Sequence, residues 1–235
     1  MKVLVTGGSG GIGLALVKQL LEQEAITSIT ATWHSNMPTL QHPKLNWQQL
    51  DLSDETEIAA LMANIHQLDW LINCAGVLHS LQLKPEKSLS QCQAASFMLS
   101  MQLNALPSLL LAKHAAKALK HSQSGVFLSI SAKLASISDN RIGGWHSYRC
   151  AKAALNMALK NIAIEWQRTH PKVCVAAWHP GTTDTALSKP FQANIAKHKL
   201  LTSERSATLL LKRIYQLSPE QSGRFWSWDD QELSW

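Results

Sequence analysis

Short apolar segments alternate along the chain with longer segments in which apolar residues recur every three or four positions. Short apolar runs bounded by turn residues predict strands, and the wider spacing predicts amphipathic helices. Strands are predicted on this basis at residues 2–6, 28–32, 46–50, 70–73, 125–129 and 173–178. Strands that alternate with helices in this way are typical of a parallel sheet with helices on both faces.

Helices are predicted between these strands, at residues 12–23, 54–65, 91–119, 147–168 and 203–217. Ser53, followed by Asp54 and Glu55, is a good helix start, because a hydroxyl and early carboxylates satisfy the free amides of the first turn. Pro107 lies inside the third predicted helix and should kink or divide it. No repeat, low-complexity tract or linker interrupts the pattern. A single α/β domain over residues 1–235 is therefore expected, with a doubly wound parallel sheet of about seven strands.

The segment 187–202 is less regular than the rest of the chain and contains Pro190 together with the basic residues Lys189, Lys197, His198 and Lys199. An insertion after a late strand of a doubly wound sheet lies above the carboxyl ends of the strands, where ligands bind. The segment is therefore either a substrate lid or an ordinary surface loop.

Composition excludes several classes of protein. Of the 235 residues, 46% are hydrophobic and 16% are charged, which suits a large buried core and argues against disorder. The apolar run 1–6 is too short for a signal-peptide core, and no apolar stretch reaches the length of a membrane span. The four cysteines are widely spaced without a CxxC pair, and no histidine or cysteine grouping has metal-ligand spacing. We expect a soluble, cytoplasmic protein with free thiols and no metal.

The formal net charge of +6 is unevenly distributed. Residues 1–86 hold 4 basic and 8 acidic residues, residues 87–213 hold 17 and 4, and residues 214–235 hold 1 and 4. The basic middle is either a solvated face or a field that attracts an anion, such as a phosphorylated cofactor, an acidic substrate or nucleic acid. Nucleic acid is the least favoured of these partners, because the chain has no recognised module that binds it.

The strongest local signal is the glycine-rich sequence Thr6-Gly7-Gly8-Ser9-Gly10-Gly11-Ile12-Gly13. It follows the first predicted strand and opens the first predicted helix, which is the context that a dinucleotide-binding turn requires. Glycines allow the backbone to turn tightly and approach a pyrophosphate, and the amino terminus of the helix offers free amides and a positive potential. The alternative is a tight loop without a ligand.

A second signal is the sequence Tyr148-Arg149-Cys150-Ala151-Lys152 within a predicted helix. Residues four apart share one face of a helix, so the phenol and the ammonium can lie side by side. A nearby ammonium favours the phenolate and moves the pKa of the tyrosine from about 10 towards a value useful for acid–base chemistry. The same spacing occurs by chance in many helices, so its weight depends on the other motifs.

Three further segments accompany these two: residues 73–76 (Asn-Cys-Ala-Gly) at the end of a strand, Asn104 in a helix, and residues 180–185 after the sixth strand. With them the chain resembles the short-chain dehydrogenase/reductase family over nearly its full length. The glycine turn is similar to the family's TGxxxGxG, and residues 73–76 look like its NNAG with Cys74 in place of the second Asn. Tyr148 and Lys152 match its YxxxK, and residues 180–185 look like its PG-x-x-x-T. Residues 136–140, 143–145 and 148–156 resemble the C-factor-like and carbonyl-reductase-like branch.

The resemblance implies a Rossmann fold and hydride transfer between a nicotinamide cofactor and a carbonyl or alcohol substrate. By resemblance, Tyr148 donates a proton to the carbonyl oxygen in reduction, while Lys152 binds the nicotinamide ribose and lowers the pKa of Tyr148. Asn104 would hold a water that extends the proton path. Thr183 would contact the carboxamide through its backbone, Thr185 would lie near the phosphates, and His179 is expected to be structural. The other residues that the resemblance places at the cofactor are Thr6, Gly7, Ser9, Gly11, Ile12, Gly13, Asn73, Ala75, Gly76, Pro180 and Gly181.

One position departs from the family pattern. A serine normally follows the fifth strand within I-S-S-x-x-G, and the corresponding residues here are Ile130-Ser131-Ala132, so the usual serine is Ala132. Neighbouring side chains of an extended strand point to opposite faces, so Ser131 is not automatically a replacement. Either a local bulge turns Ser131 into the site, or Ser136 or Ser138 reaches back, or the site lacks this hydrogen-bond donor. Loss of such a donor typically costs about 10²–10³ in rate.

The end of the second predicted strand bears on the choice of nicotinamide cofactor. An acid there would bind the adenosine ribose and reject a 2′-phosphate. The chain has no acid at that point, and Thr32, His34 and Ser35 could donate to a phosphate, so NADP(H) is favoured over NAD(H). His34 is a weaker anchor than arginine, because histidine is mostly neutral near pH 7. Asp51-Leu52 matches the family's adenine contact; alternatively, Asp51 only starts a helix.

The second hypothesis is a nucleotide-sensing or signalling protein that keeps the fold with little turnover. Ala132 favours this hypothesis, whereas the intact Tyr148, Lys152 and Asn104 favour an enzyme acting on a small-molecule carbonyl or alcohol. Family members associate through the helices that match residues 91–119 and 147–168, so the resemblance implies a homodimer or homotetramer. Neither a membrane nor nucleic acid is expected as a partner.

Overall fold

A parallel sheet lies at the centre of the computed structural model, which describes residues 1–193, 195–196 and 199–235. The strands are β1 (Lys2–Thr6), β2 (Ser28–Trp33), β3 (Leu45–Gln49), β4 (Trp70–Asn73), β5 (Gly125–Ile130), β6 (Val173–His179), β7 (Thr182–Thr183), β8 (Leu200–Leu201) and β9 (Arg224–Ser227). Seven of them form one sheet in the order β3-β2-β1-β4-β5-β6-β9, and every neighbouring pair is parallel. β7 and β8 pair with each other in a separate small sheet.

Helices cover both faces of the seven-stranded sheet. They are α1 (Gly11–Leu21), α2 (Glu55–Ala63), α3 (Ala94–Asn104), α4 (Leu106–Leu119), α5 (His146–Thr169) and α6 (Ser203–Gln216). Successive side chains of a strand point to opposite faces, so Val3 and Val5 of β1 pack with α1 and α6. Leu4 packs in the opposite layer with α2, α4 and α5. Burial on both faces explains why the central strands are continuously apolar.

The predicted fold class, a doubly wound parallel sheet of about seven strands, is confirmed. All six predicted strands are present with ends within one residue of the prediction. The sequence pattern missed the two-residue strands β7 and β8 and, in the seven-stranded sheet, β9, which pairs with β6 at the edge. The last of these is the longest. It contains only four residues, and the apolar Phe225 and Trp226 are flanked by Arg224 and Ser227. Such a short segment carries too little alternation to be distinguished from a loop.

The predicted helix 91–119 is divided, as Pro107 indicated. α3 ends at Asn104 and α4 begins at Leu106, with Pro107 in its first turn. The first turn tolerates proline, because its amides lack intrahelical partners in any case. At the start of α2 the prediction is corrected by one residue, since the N-cap is Asp54. Its carboxylate accepts from the backbone amides of Thr56 and Glu57, whereas the Ser53 hydroxyl donates to Asp51.

One stretch of the described chain, Ala94–Leu119, is long and apolar enough to cross a membrane by length and composition alone. By this measure, the expectation that no apolar stretch reaches the length of a membrane span is wrong. In the structure this stretch is the two helices α3 and α4, and Leu111, Ala115 and Leu119 of α4 are buried in the core beneath the sheet. A core helix of this kind passes the same compositional test as a membrane span.

The strand order reverses between β1 and β4, which creates a crevice at the carboxyl ends of these strands. Ligands of doubly wound sheets bind at this switch point. Thr6 ends β1 and is in register with Asn73, the last residue of β4. The Thr6 hydroxyl donates to Oδ1 of Asn73 at 2.9 Å, so the two strand ends are tied together directly beneath the crevice.

Candidate active site

The glycine-rich turn lies in the crevice between β1 and β4. Gly7 has a left-handed backbone with φ +68°, and a Cβ there would lie 2.7 Å from the backbone nitrogen of Ala75, so glycine is required. The N–H of Gly7 donates to the buried Thr32 hydroxyl at 3.1 Å, and that of Gly10 donates to the Gly7 carbonyl at 3.2 Å. Gly10, which has no side chain, is the N-cap of α1. The amides of the first turn are therefore left for a ligand.

A second close approach occurs at Gly11, the first residue of α1. A Cβ there would lie 2.6 Å from the methyl carbon of Thr185 and 3.0 Å from the Ser203 hydroxyl oxygen. Thr185 therefore lies directly against the turn, on the side where the resemblance implies phosphates. The cradle is formed by backbone and small side chains, and this is the type of surface that fits a pyrophosphate.

The turn opens into a cavity of about 680 Å³, which is within the usual range for ligand and cofactor sites. The cavity is lined by residues 10–13, 74–76, 78, 130–134, 145, 148, 152, 179–183, 185–188, 191 and 195. It brings together the predicted residues Gly11, Ile12, Gly13, Ala75, Gly76, Ser131, Tyr148, Lys152, Pro180, Gly181, Thr183 and Thr185. Within the described chain, the lining does not include the predicted residues Thr6, Gly7, Ser9, Thr32, His34, Asp51, Leu52, Asn73 and Asn104.

A buried polar chain supports the cavity from below. Oδ1 of Asn73, besides accepting from Thr6, accepts from the backbone amide of Ala75 at 3.1 Å. Nδ2 of Asn73 donates to the Ser108 hydroxyl at 3.2 Å, and Ser108 lies 3.0 Å from the Ser129 hydroxyl. Thr6 and Asn73 thus hold the segment after β4 from the side that faces away from the cavity. Their direct contact with a cofactor stays a prediction.

Tyr148 and Lys152 lie on one face of α5, as their spacing predicted. Both side chains are buried, and Nζ of Lys152 lies 5.9 Å from the centre of the Tyr148 ring. Nζ donates to the carbonyl of Ile130 at 3.0 Å. A Cβ on Gly76 would lie 3.3 Å from Nζ and 3.5 Å from Oδ1 of Asn104. α5, the end of β5 and the segment after β4 therefore meet at this ammonium group.

Burial controls the acid–base properties of this pair. It raises the pKa of Tyr148 above its ordinary value and lowers the pKa of Lys152 to about 8, because a charged form is poorly solvated in the interior. The expected lowering of the Tyr148 pKa by Lys152 is therefore outweighed by burial. At neutral pH the phenol is protonated, and the lysine is mostly protonated as well.

Asn104 uses its side chain as a brace. Oδ1 accepts from the backbone amide of Val77 at 2.9 Å, and Nδ2 donates to the Val77 carbonyl at 2.9 Å. Nδ2 also donates to the carbonyl of Ser100 at 3.1 Å. The end of α3 is thereby joined to the segment that follows β4. The role of Asn104 in holding a water stays a prediction.

The serines near Ala132, the position where the family normally has a serine, already have hydrogen-bond partners within the protein. The Ser131 hydroxyl donates to Oδ1 of Asn156 at 2.6 Å, although Ser131 also lines the cavity. Ser136 and Ser138 form hydroxyl contacts with each other and with Ser234. For Ser131 to act on a substrate, its bond to Asn156 would have to be exchanged, so its catalytic role stays a prediction.

The end of β2 faces the segment that follows β3. Nε2 of His34 lies 3.8 Å from Oδ2 of Asp51, and Nδ1 of His34 lies 2.8 Å from the Ser35 hydroxyl. Hydrogen bonds from the side chain and backbone of Ser53 lower the pKa of Asp51, so an ionised carboxylate lies beside His34. The sequence of β2 contains no acid at this point, but the fold brings one from the segment that follows the neighbouring strand β3.

The segment after β6 forms the remaining wall of the cavity. Thr183 is held through its hydroxyl oxygen, which lies 3.2 Å from the Pro180 carbonyl oxygen and 3.1 Å from the Ser206 hydroxyl oxygen. Farther on, the ring of Phe191 lies 4.9 Å from that of Trp145 and 5.8 Å from that of His79. In the predicted lid, residues 187–202, Asn194, Lys197 and His198 lie outside the described residues. The described part contacts the cavity through residues 187, 188, 191 and 195.

Several residues that line the cavity were not among the predicted site residues, and Trp145, Phe191 and His179 are three of them. Trp145 and Phe191 form its aromatic wall, and the only signal for Trp145 in the sequence is its position after two glycines. His179 lines the cavity with Nδ1 buried and, among the described residues, without a partner. Burial lowers the pKa of His179 to about 4, with Lys133 adding to the shift and Asp229 opposing it. The imidazole is therefore neutral at pH 7.

Comparisons with known proteins agree with this geometry. The sequence model of the family described as short chain dehydrogenase matches residues 1–196. A benzil reductase ((S)-benzoin forming) from Saccharomyces cerevisiae is 30% identical over 211 residues, which cover 82% of this chain and 75% of that protein. C-signal from Myxococcus xanthus is 32% identical over 106 residues, 45% of this chain and 58% of that protein. The crystal structure of NADPH-bound carbonyl reductase from chicken fatty liver has a TM-score of 0.85 and 26% identity, covering 100% of this chain and 94% of that one.

Proposed function

The chain belongs to the short-chain dehydrogenase/reductase family of NAD(P)-dependent oxidoreductases, and from this membership we propose that it reduces a carbonyl compound to an alcohol with NADP(H). The same site would oxidise the alcohol in the reverse direction. The observation that carries the proposal is the position of Tyr148, which is buried beside Lys152 in the wall of the cavity that the glycine turn enters. Tyr148 is the acid in reduction and the base in oxidation.

Tyr148 holds the proton that the substrate oxygen receives. Because burial raises its pKa, the phenol is protonated at neutral pH, which is the state that reduction needs. The alkoxide that forms from a carbonyl is more basic than a phenolate, so proton transfer runs towards the alcohol. The cofactor, when bound, supplies the hydride.

Lys152 supports this transfer by charge. Its ammonium has three N–H groups, of which one is donated to Ile130. Two remain for hydroxyl oxygens of a nicotinamide ribose. The positive charge also favours the phenolate that remains on Tyr148 after the proton has left. With a pKa of about 8, Lys152 carries this charge at neutral pH.

The cofactor would be held along the crevice. The free amides of α1 and the glycine turn would bind the pyrophosphate, with Thr185 beside it. The backbone of residues 180–183 would meet the nicotinamide. At the other end, His34 and Ser35 offer donors to a 2′-phosphate, whereas the carboxylate of Asp51 opposes a second negative charge. The proposed preference for NADP(H) over NAD(H) is therefore modest.

The aromatic wall favours a substrate with apolar substituents. Trp145 and Phe191 present adjacent rings, and Leu134 and Leu187 extend the same apolar lining. A ketone or aldehyde that carries an aromatic group would bury its ring against this wall. The name of the yeast relative, benzil reductase, also specifies an aromatic carbonyl compound.

The test is a screen of NADPH consumption with aromatic ketones, diketones, aldehydes and quinones. We expect turnover with at least one of these substrates, and we expect Tyr148→Phe to abolish it while NADPH still quenches Trp fluorescence. Binding of NADPH without turnover across the panel would contradict the proposal. Titration with NADPH and NADH in the same assay measures the cofactor preference directly.

The second candidate is a nucleotide sensor with little turnover. The observation that favours it is Ala132, which lines the cavity where the family has a hydroxyl. The similarity to C-signal, whose name denotes a signal, is in keeping with it. In the same screen this candidate predicts tight nucleotide binding and no reduction of any carbonyl. Tyr148→Phe should then leave nucleotide binding unchanged.

A further inference from the structure

Glu86 is a buried acid that the proposed chemistry does not use. It lies in the connection between β4 and α3 and exposes only 5% of its surface. A buried carboxylate is unfavourable unless hydrogen bonds replace its hydration. Burial raises the pKa of Glu86, but hydrogen bonds from Ser147 and from its own backbone, with the charge of His146, lower it overall. The carboxylate is therefore ionised at neutral pH.

The partners of this carboxylate are at the start of α5. One oxygen accepts from the backbone amide of Ser147 at 3.2 Å, and the other accepts from the Ser147 hydroxyl. The N-cap of α5 is Trp145, whose side chain cannot accept hydrogen bonds from the free amides of the first turn. Glu86 thus acts as the cap of α5 from a segment 61 residues away. Its negative charge also matches the positive end of the helix dipole.

Glu86 also holds the residue that starts the helix. Trp145 has a left-handed backbone, φ 49° and ψ 42°, which is unfavourable for a bulky residue and needs support from its surroundings. Its N–H donates to the Glu86 carbonyl at 2.5 Å. The preceding Gly144 is also left-handed, and a Cβ there would lie 3.4 Å from the same carbonyl oxygen. The loop is therefore wrapped around the backbone of Glu86.

Two site residues flank this attachment. Trp145, held by the carbonyl, forms the aromatic wall, and Tyr148 directly follows Ser147, which is held by the carboxylate. We propose that Glu86 is a positioning residue of the reaction, which fixes the first turn of α5 so that Tyr148 and the aromatic wall keep their relative placement. This role rests on the proposed function of Tyr148, and Glu86 itself is not among the described residues that line the cavity.

Misplacement of a proton donor by about 1 Å can cost about 10²-fold in rate. We expect Glu86→Ala to lower kcat about 10- to 100-fold while the Kd for NADPH stays within about twofold, because the glycine turn is untouched. Glu86→Gln retains an acceptor for Ser147 and should recover most of kcat. Ser147→Ala removes the hydroxyl partner, and its effect should be less than additive with that of Glu86→Ala, since both act on one contact.

Asp54→Ala is the matched control. Asp54 caps α2 through the amides of Thr56 and Glu57, so its removal should lower thermal stability by a similar amount and leave kcat unchanged. Equal kcat values in Glu86→Ala and in the wild-type chain would overturn the role of Glu86 and leave the proposed function unaffected. If Glu86→Ala does not fold, a wild-type kcat in Ser147→Ala has the same meaning, because this variant removes the hydroxyl that holds the Glu86 carboxylate. A wild-type chain that reduces no carbonyl would overturn the proposed function and this role with it.

Discussion

The hydroxyl of Ser131 donates a 2.6 Å hydrogen bond to the amide oxygen of Asn156, one helical turn beyond Lys152 on α5. Both side chains are buried. The neighbouring Ala132 lines the cavity where the family normally has a serine. The hydroxyl closest in sequence to the missing one is thus engaged with a helix, and this makes it possible to separate its structural role from a catalytic one.

Ser131→Ala should affect stability more than chemistry. It leaves the amide oxygen of Asn156 buried without its donor, which should lower the free energy of unfolding by about 1–3 kcal/mol. Turnover of the folded variant should fall by less than about tenfold, below the loss expected for an oxyanion donor. Urea unfolding and NADPH consumption measure the two effects. Ser136→Ala and Ser138→Ala are the controls and should leave turnover unchanged; a 10²-fold loss in Ser131→Ala would instead make Ser131 the catalytic donor.

Ala132→Ser should raise kcat. The added hydroxyl would supply a hydrogen bond to the developing oxyanion, and one such donor is typically worth about 10²–10³ in rate. We expect a gain of at least about fivefold, since the new hydroxyl lacks supporting contacts. Ala132→Cys is the matched control, because a thiol has nearly the same shape and is a weak donor. Equal kcat for the serine variant and wild type would indicate that another group already fills this role.

The sheet could be predicted from sequence because consecutive residues of a strand point to opposite faces, so a continuous apolar run predicts burial on both faces. Val3, Leu4 and Val5 enter opposite cores in alternation, and the spacing of Tyr148 and Lys152 fixes their common helix face. These relationships are local, so a pattern of a few residues determines them.

The unpredicted features of the site depend on contacts between distant segments. Glu86 contacts Ser147, which is 61 residues away in the sequence, and Asp51 approaches His34 from the segment that follows β3. The direction of the Tyr148 pKa shift is of the same kind, because it follows from burial by the whole fold. Neither the spacing nor the type of these residues predicts which distant residues will contact one another.

His34→Arg should strengthen the preference for NADPH. Arginine is fully charged at neutral pH and binds phosphate through two parallel hydrogen bonds. Nε2 of His34, in contrast, already faces the carboxylate of Asp51. We expect the ratio of the Kd for NADH to the Kd for NADPH to rise about tenfold, measured by quenching of Trp fluorescence. His66→Arg, which adds the same charge in the loop between α2 and the amino end of β4, away from the carboxyl ends of the strands, should leave the ratio unchanged. An equal rise in both variants would point to a general effect of charge.

His179 should make the protein less stable in mild acid. The unfolded chain protonates this residue near its ordinary pKa of 6.5, whereas burial lowers the folded pKa to about 4. Between these values only the unfolded state binds the proton, so the free energy of unfolding falls as the pH is lowered from 6.5 to 4. The full difference corresponds to about 3 kcal/mol. Urea unfolding at pH 7 and pH 4.5 should show a smaller loss in His179→Gln than in wild type; identical losses would contradict the assignment.

Met157→Lys should dissociate the oligomer that the family resemblance implies. Exposed apolar side chains lie along α3, α4 and α5, the helices through which family members associate: Phe97, Met98, Leu109, Met157 and Ile164. Met157 is 61% exposed, and burying it against a second copy would remove its apolar surface from water. A lysine there would place a charge in that interface, so sedimentation should show a monomer in place of a dimer or tetramer. Leu81→Lys, at a fully exposed position outside these helices, should keep the wild-type mass, and loss of assembly in both variants would show that added charge alone is the cause.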